Sequence, residues 1–125
     1  MVKAVGIDII EISRIRQAIE RWGDRFLHRV FTPWEISYCS EKVFPEYSFA
    51  ARFAAKEAVF KTLGSSARSG IKWTSIEIFN DRNGQPSVRL GGKAKEKLDG
   101  GAVLISMSHS HTYAVAQAVL LETSN

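Results

Sequence analysis

Residues 48–63 read SFAARFAAKEAVFKTL, a run rich in Ala and Phe that predicts a long helix, with Gly64 behind it as a C-cap. Ala50, Ala54, Glu57 and Lys61 follow one another at steps of four, three and four, so they share one stripe, flanked by Phe53 and Phe60. This is the face expected to pack on a sheet. Glu57 and Lys61 stand one turn apart and make an i,i+4 pair. An ordinary solvated pair of that kind contributes only ~0.3–0.5 kcal/mol. Here the neighbours at the same angle are alanines rather than polar residues, which sets the pair apart. Arg52 and Lys56 form a second basic step on the same helix and read as exposed.

Outward from this helix the pattern changes type. Residues 3–10 are apolar and β-branched, a short buried strand. Ile12, Ile15, Ile19, Trp22 and Phe26 recur at spacings of three and four, so a helix follows, weakened near its end by Gly23. Thr32, Pro33 and Glu35 mark a helix start: a capping hydroxyl, a proline at the first helical position and a glutamate reaching back to the cap amide. Residues 65–70 are a loop of small residues. Residues 72–80 and 86–90 are strands joined through Asn83-Gly84, a hairpin signal. Residues 93–98 suggest a short polar helix, and 102–108 and 113–121 a last strand pair. Helices early and antiparallel strands late predict an α+β fold in one domain over 1–125, a long helix packed on a mostly antiparallel sheet.

Composition bounds the function. The chain has 125 residues, 45% hydrophobic and 24% charged, ordinary for a soluble globular protein. No apolar run is long enough for a membrane span, and the first residues lack the pattern of a secretory signal. Cys39 is the single cysteine, which excludes an internal disulfide or a multi-cysteine metal site. A cytoplasmic protein is the expectation. The net charge of +4 suits an anionic partner.

Two further titratable residues stand out against apolar strands. Asp8 breaks the run from Val5 to Ile10. A buried carboxylate needs a donor, a cation or a metal. Local sequence favours a cap, with Asp8 accepting amides of the following helix and Glu11 closing a box. His109 follows the strand ending at Ser108, two residues before His111. No third His or Cys is placed to complete a zinc site, since His28 lies in another element.

Val5-Gly6-Ile7-Asp8-Ile9, Phe31-Thr32-Pro33-Trp34-Glu35, the run from Arg52 to Lys61, and Ser106-Met107-Ser108-His109 with Tyr113-Ala114 together resemble the motifs of the bacterial acyl-carrier-protein synthases. They stand in the same order across nearly the whole chain. The length is similar to the short, single-unit type of these phosphopantetheinyl transferases. The resemblance implies transfer of 4′-phosphopantetheine from coenzyme A to a serine of apo acyl carrier protein, with 3′,5′-adenosine bisphosphate leaving, in support of fatty acid biosynthesis.

That chemistry asks mainly for positioning and charge neutralisation around a pyrophosphate. A hard divalent ion suits it, and magnesium takes a few carboxylates while keeping waters and phosphate oxygens. The resemblance points to Asp8 and Glu57 as the metal-binding acids, and with it the metal reading of Asp8 overtakes the cap. Glu57 and Lys61 are the expected catalytic residues, Lys61 placing its ammonium on a phosphate. Arg52, Lys61 and His109 are expected to bind coenzyme A, with Arg52 and His109 near its 3′-phosphate. Asn83, Gly84 and Gln85 form a turn whose amides either contact the nucleotide or only close the hairpin. The general base stays open among Glu57, Glu35 and a metal-bound water, with Glu35 last because it has a capping role.

Arg14, Arg21 and Arg25 fall on one stripe of the first helix, expected to dock the acidic carrier protein. The resemblance also implies a homotrimer with active sites between chains. In residues 113–121 one face carries Tyr113, Val115, Gln117, Val119 and Leu121 and the other Ala114, Ala116, Ala118 and Leu120, so both faces want cover. A nucleic-acid-binding module is the competing reading, but basic and acidic residues are mixed and no such motif is present. A non-catalytic docking subunit would not need Asp8, Glu57 and Lys61 together. No nucleic acid and no membrane partner is expected.

Overall fold

The computed structural model describes residues 1–64 and 70–123. Of the small-residue loop expected at 65–70, all but Gly70 lies outside the described residues. Strand β1 (Val2–Glu11) leads into helices α1 (Ile12–Trp22), α2 (Asp24–Val30), α3 (Pro33–Ser40) and α4 (Pro45–Thr62). A 3₁₀ turn (Trp73–Ser75), strands β2 (Ile76–Asn80) and β3 (Pro86–Leu90), helix α5 (Gly92–Leu98), and strands β4 (Ala102–His109) and β5 (Tyr113–Leu121) complete the chain. β1, β5 and β4 form an antiparallel sheet with β5 in the middle, and β2 and β3 form a separate hairpin. The fold is α+β, as expected.

The core lies between this sheet and α4. The inward side of β5 carries Ala114, Ala116, Ala118 and Leu120, all at most 3% exposed. They face a helix that is itself lined with Ala50, Ala54, Ala55 and Ala58. Small side chains on both surfaces let the helix axis approach the strands closely, so density is reached with little side-chain bulk. Gly6 is the extreme case. A Cβ on Gly6 would stand 2.1 Å from the carbonyl oxygen of Ala58. We therefore expect Gly6→Ala to destabilise the protein by about 1–3 kcal/mol through overpacking. Catalytic loss should exceed what the remaining folded fraction explains, because Asp8 lies two residues along the same strand. Urea unfolding beside a transfer assay checks this, and normal stability with normal rate would contradict it.

Four expectations change. The strand at 3–10, read as buried, leaves one face open, with Val5, Ile7 and Ile9 56–62% exposed. Gly23 adopts φ 54 and its amide closes onto Ile19 O at 2.8 Å, so the first helix stops there and a second begins. A side chain would be strained in that conformation. The break leaves Trp22 50% exposed, although its spacing placed it with the buried Ile12 and Ile15. The strand expected from residue 72 starts only at Ile76. The turn before it is held to the helices instead, with the Trp73 ring stacked on Phe53 at 5.0 Å and edge-on to Phe60 at 5.2 Å. Arg52 and Lys56, read as exposed, are 3% and 0% exposed.

The hairpin and the capping box form as expected. Thr32 Oγ1 accepts from Glu35 N at 3.3 Å, and Thr32 N donates to Glu35 Oε1 at 2.8 Å.

Candidate active site

The contact enabled by Gly6 brings the end of α4 over β1. Asp8 pairs in the ladder opposite Ala116, well inside the strand. The cap position of α1 is Glu11, and it makes no side-chain cap bond. The capping reading of Asp8 is thus replaced by a tertiary one. Lys61 Nζ donates to Ile7 O at 2.7 Å and to Asp8 Oδ1 at 3.2 Å. Asp8, Glu57 and Arg14 line one cleft of about 390 Å³, walled by Phe26 and Phe53. Acids on a strand and a helix far apart in sequence thus open onto the same space.

What this pair can hold follows from its donors. Among the described residues no group of three or more His, Cys, Asp or Glu comes together. A closed tetrahedral zinc centre therefore has no ligand set here. Two carboxylates beside an open cleft fit a hard ion such as magnesium, which completes its octahedron with waters and phosphate oxygens.

A second cleft of about 360 Å³ runs along the start of α4 and the end of β4, and it joins Arg52 and His109 with Lys42, Tyr47 and Ser48. His109 stacks on Tyr47, ring centres 5.2 Å apart. Arg52 donates to Ser48 Oγ at 3.3 Å and also to Asn80 Oδ1. No described carboxylate forms an ion pair with it. A buried cation without an anion favours an anionic ligand. Lys42 and Tyr47 were not legible as site residues, since they lie outside every motif and only the fold lays them beside His109.

Of the two readings of the hairpin turn, the bonding within it fits closure of the hairpin. Asn83 N and Gln85 N both donate to Asp81 Oδ1, at 2.9 and 3.0 Å, and Gly84 N donates to Asp81 O at 2.9 Å. All three amides are spent within the turn, so they are not the free donors that a nucleotide contact would use. The turn still borders the cationic cleft, because Asn80 Nδ2 donates to Gly84 O at 3.0 Å while Asn80 Oδ1 holds Arg52.

The arginine stripe is also divided. Arg14 and Arg21 lie on α1, but Arg25 falls beyond the Gly23 break on α2. There it lines an open pocket of about 490 Å³ with Trp22, Phe26 and Arg29. Arg21 covers Trp22, its guanidinium carbon 5.0 Å from the ring centre.

The sequence reading missed a buried ion pair. Lys56 Nζ lies 2.6 Å from Glu35 Oε1, both side chains 0% exposed. Lys56 also donates to Val30 O at 2.7 Å and Trp73 O at 3.2 Å, and Ile78 N donates to Glu35 Oε2 at 2.7 Å. Burial pulls Lys56 below the ordinary lysine range, and the Glu35 carboxylate opposes that pull. The signal was present: Phe49, Phe53, Lys56 and Phe60 run at steps of four, three and four, so Lys56 stands in a phenylalanine row. Cys39 is buried, and burial pushes its thiol above the ordinary range, the opposite of an activated nucleophile.

A family model described as the 4′-phosphopantetheinyl transferase superfamily matches residues 4–118. A holo-[acyl-carrier-protein] synthase of Koribacter versatilis is 45% identical over 123 residues, spanning 96% of this chain and 98% of its own. One of Chlamydia pneumoniae is 48% identical over 117 residues, spanning 94% and 95%. Solved structures agree. The Helicobacter pylori holo-[acyl-carrier-protein] synthase in complex with coenzyme A superposes with TM-score 0.84 at 30% identity, covering 94% of this chain and 99% of that one. The Neisseria meningitidis enzyme superposes with TM-score 0.88 at 30% identity, covering 98% and 100%. Motif order, fold and the meeting of Asp8 with α4 all converge with these likenesses: the chain belongs to the 4′-phosphopantetheinyl transferase superfamily, among its holo-[acyl-carrier-protein] synthases.

Proposed function

We propose that the protein transfers 4′-phosphopantetheine from coenzyme A to a serine of apo acyl carrier protein, releasing 3′,5′-adenosine bisphosphate and so supporting fatty acid biosynthesis. The observation that carries this reading is the placing of Asp8, Glu57 and Lys61 at the β1–α4 crossing, with a second, cationic cleft on the same helix. Asp8 and Glu57 would hold magnesium, which when bound supplies charge neutralisation to the pyrophosphate.

The chain's own groups do the rest. The serine hydroxyl oxygen attacks the phosphorus that carries pantetheine. The bond from that phosphorus to the bridging oxygen breaks, and the electron pair leaves with the adenosine bisphosphate. Lys61, half exposed beside Asp8, is placed to set its ammonium against the phosphate that gains this charge. Arg52, Lys42 and His109 take the anionic nucleotide end. The serine proton goes to a base opening on the cleft, and Glu57 is the acid placed there. Glu35 is withdrawn from the candidates: it is fully buried, and Thr32 N, Ile78 N and Lys56 occupy its oxygens. Mass spectrometry of an apo carrier protein incubated with the enzyme, coenzyme A and magnesium should show one added phosphopantetheine. An unmodified carrier would defeat the reading.

The carrier protein docks on α1 beside the cleft; Arg14 borders the acids and Arg21 continues the helix outward, which supports this face. Arg14→Glu with Arg21→Glu should raise the Michaelis constant for carrier protein at least about tenfold, leave coenzyme A binding unchanged, and weaken the salt dependence. A salt-independent constant in the parent enzyme would contradict this docking face.

The working assembly is a homotrimer. The outer face of the sheet presents Val5, Ile7, Ile9 and Leu104 at 56–62% exposure, with Tyr113 at 46%. In register, Ile7 and Ser106 flank Gln117 on the central strand. So large a contiguous apolar face favours cover by other copies of the chain. Sedimentation should give three chains at assay concentration, and a fully active monomer would end the proposal.

A further inference from the structure

Arg52 is held from several sides by residues that no motif connected to it. Its guanidinium carbon lies 4.5 Å from the centre of the Tyr38 ring, and the Lys42 ammonium lies 4.2 Å from the same centre. Trp34 stacks on Tyr38 nearly parallel, 4.9 Å between centres at 11°. Trp34 in turn meets Phe79 edge-on at 6.3 Å, and Phe79 precedes Asn80, the acceptor for Arg52. Arg52 Nε is buried without a hydrogen-bond partner. The guanidinium is therefore set by an aromatic plate and two neutral acceptors, and no described carboxylate neutralises it. This arrangement keeps the cation's full charge for a ligand while denying it rotamer freedom.

We infer that Tyr38 is a positioning residue for coenzyme A: its ring holds Arg52 and Lys42 together as a clamp for the nucleotide phosphates. The inference rests on the transferase reading above. It follows from the ring's location, since the two cations that line the cleft share one electron-rich plate behind them, where the plate offsets their mutual repulsion. A phosphate-bearing ligand then gains two cations already set in place, and little side-chain entropy is lost on binding.

The test separates electrostatics from shape. Phenylalanine and its mono-, di- and trifluorinated analogues are placed at position 38, and binding of 3′,5′-adenosine bisphosphate is measured by calorimetry. Fluorine withdraws charge from the ring face with little change in volume. Affinity should stay within about twofold in Tyr38→Phe and fall stepwise to about tenfold weaker in the trifluoro protein. The same series should raise the Michaelis constant for coenzyme A and leave that for carrier protein and the turnover number alone. A merely structural ring would give no dependence on fluorine count. The slope should shrink but persist in a Lys42→Gln background, since the ring still holds Arg52 there. A flat series, or a slope lost with Lys42, overturns the inference while leaving the function intact. Failure of the parent enzyme to bind 3′,5′-adenosine bisphosphate overturns both.

Discussion

Asp8→Asn and Glu57→Gln should each lower transfer by about a thousandfold while the protein stays folded. The size follows from the chemistry. Charge neutralisation at a transferring phosphoryl group contributes several kcal/mol, and every 1.36 kcal/mol is about tenfold in rate. The small effect on stability follows from the site. The Asp8 side chain is 19% exposed and that of Lys61 is 51% exposed, and such open pairs contribute about 0–1 kcal/mol. In Asp8→Asn, Lys61 keeps its bond to Ile7 O and the β1 ladder is untouched. The measurements are single-turnover rates, thermal unfolding and binding of manganese as a magnetic probe. Manganese affinity should fall in both variants. Near-normal transfer at limiting magnesium would remove that residue from the ligand set, and a collapsed fold would show that its role is structural.

The other large effect concerns stability. Glu35→Ala should cost about 3–5 kcal/mol, because it strands the Lys56 ammonium in the core and takes the acceptors from Thr32 N and Ile78 N as well. The network joins α3, the end of α2, α4, the turn at Trp73 and strand β2. Its loss should therefore loosen the hairpin against the helices rather than one local contact. The paired replacement Glu35→Met with Lys56→Met removes both charges and should recover much of the loss. Urea unfolding gives both numbers. If Glu35→Ala costs less than about 1 kcal/mol, the pair is not holding these elements together.

Much of the fold lay in local sequence. Ordered apolar spacing marks α1 up to Gly23, Thr32 to Glu35 carry a self-contained capping box, and Asn83-Gly84 closes a hairpin whose bonds lie within a few residues. The candidate acids were legible for a related reason. Asp8 and Glu57 are each the wrong residue for their surroundings, an anomaly visible without coordinates, and the motif resemblance joined them. Hydrogen bonds and spacings that span a few residues leave their full trace in the chain.

What only the tertiary structure decided is which side of each helix faces inward. α4 is apolar nearly all the way round, with alanines on one side and Phe49, Val59 and Phe60 on the other, so it has no amphipathic stripe, and the burial of Arg52 and Lys56 depends on what packs around it. Lys56 is tolerated at 0% exposure because Glu35, Val30 O and Trp73 O, all distant in sequence, converge on its ammonium. Trp22 was placed inside by spacing and lies outside because a positive φ at Gly23 ends the helix one residue later. Arg52, Lys42 and Tyr38 meet for the same reason: α3, the loop after it and α4 are folded against one another. A charged side chain is buried when partners from elsewhere satisfy it, and that condition belongs to the folded chain rather than to any window of its sequence.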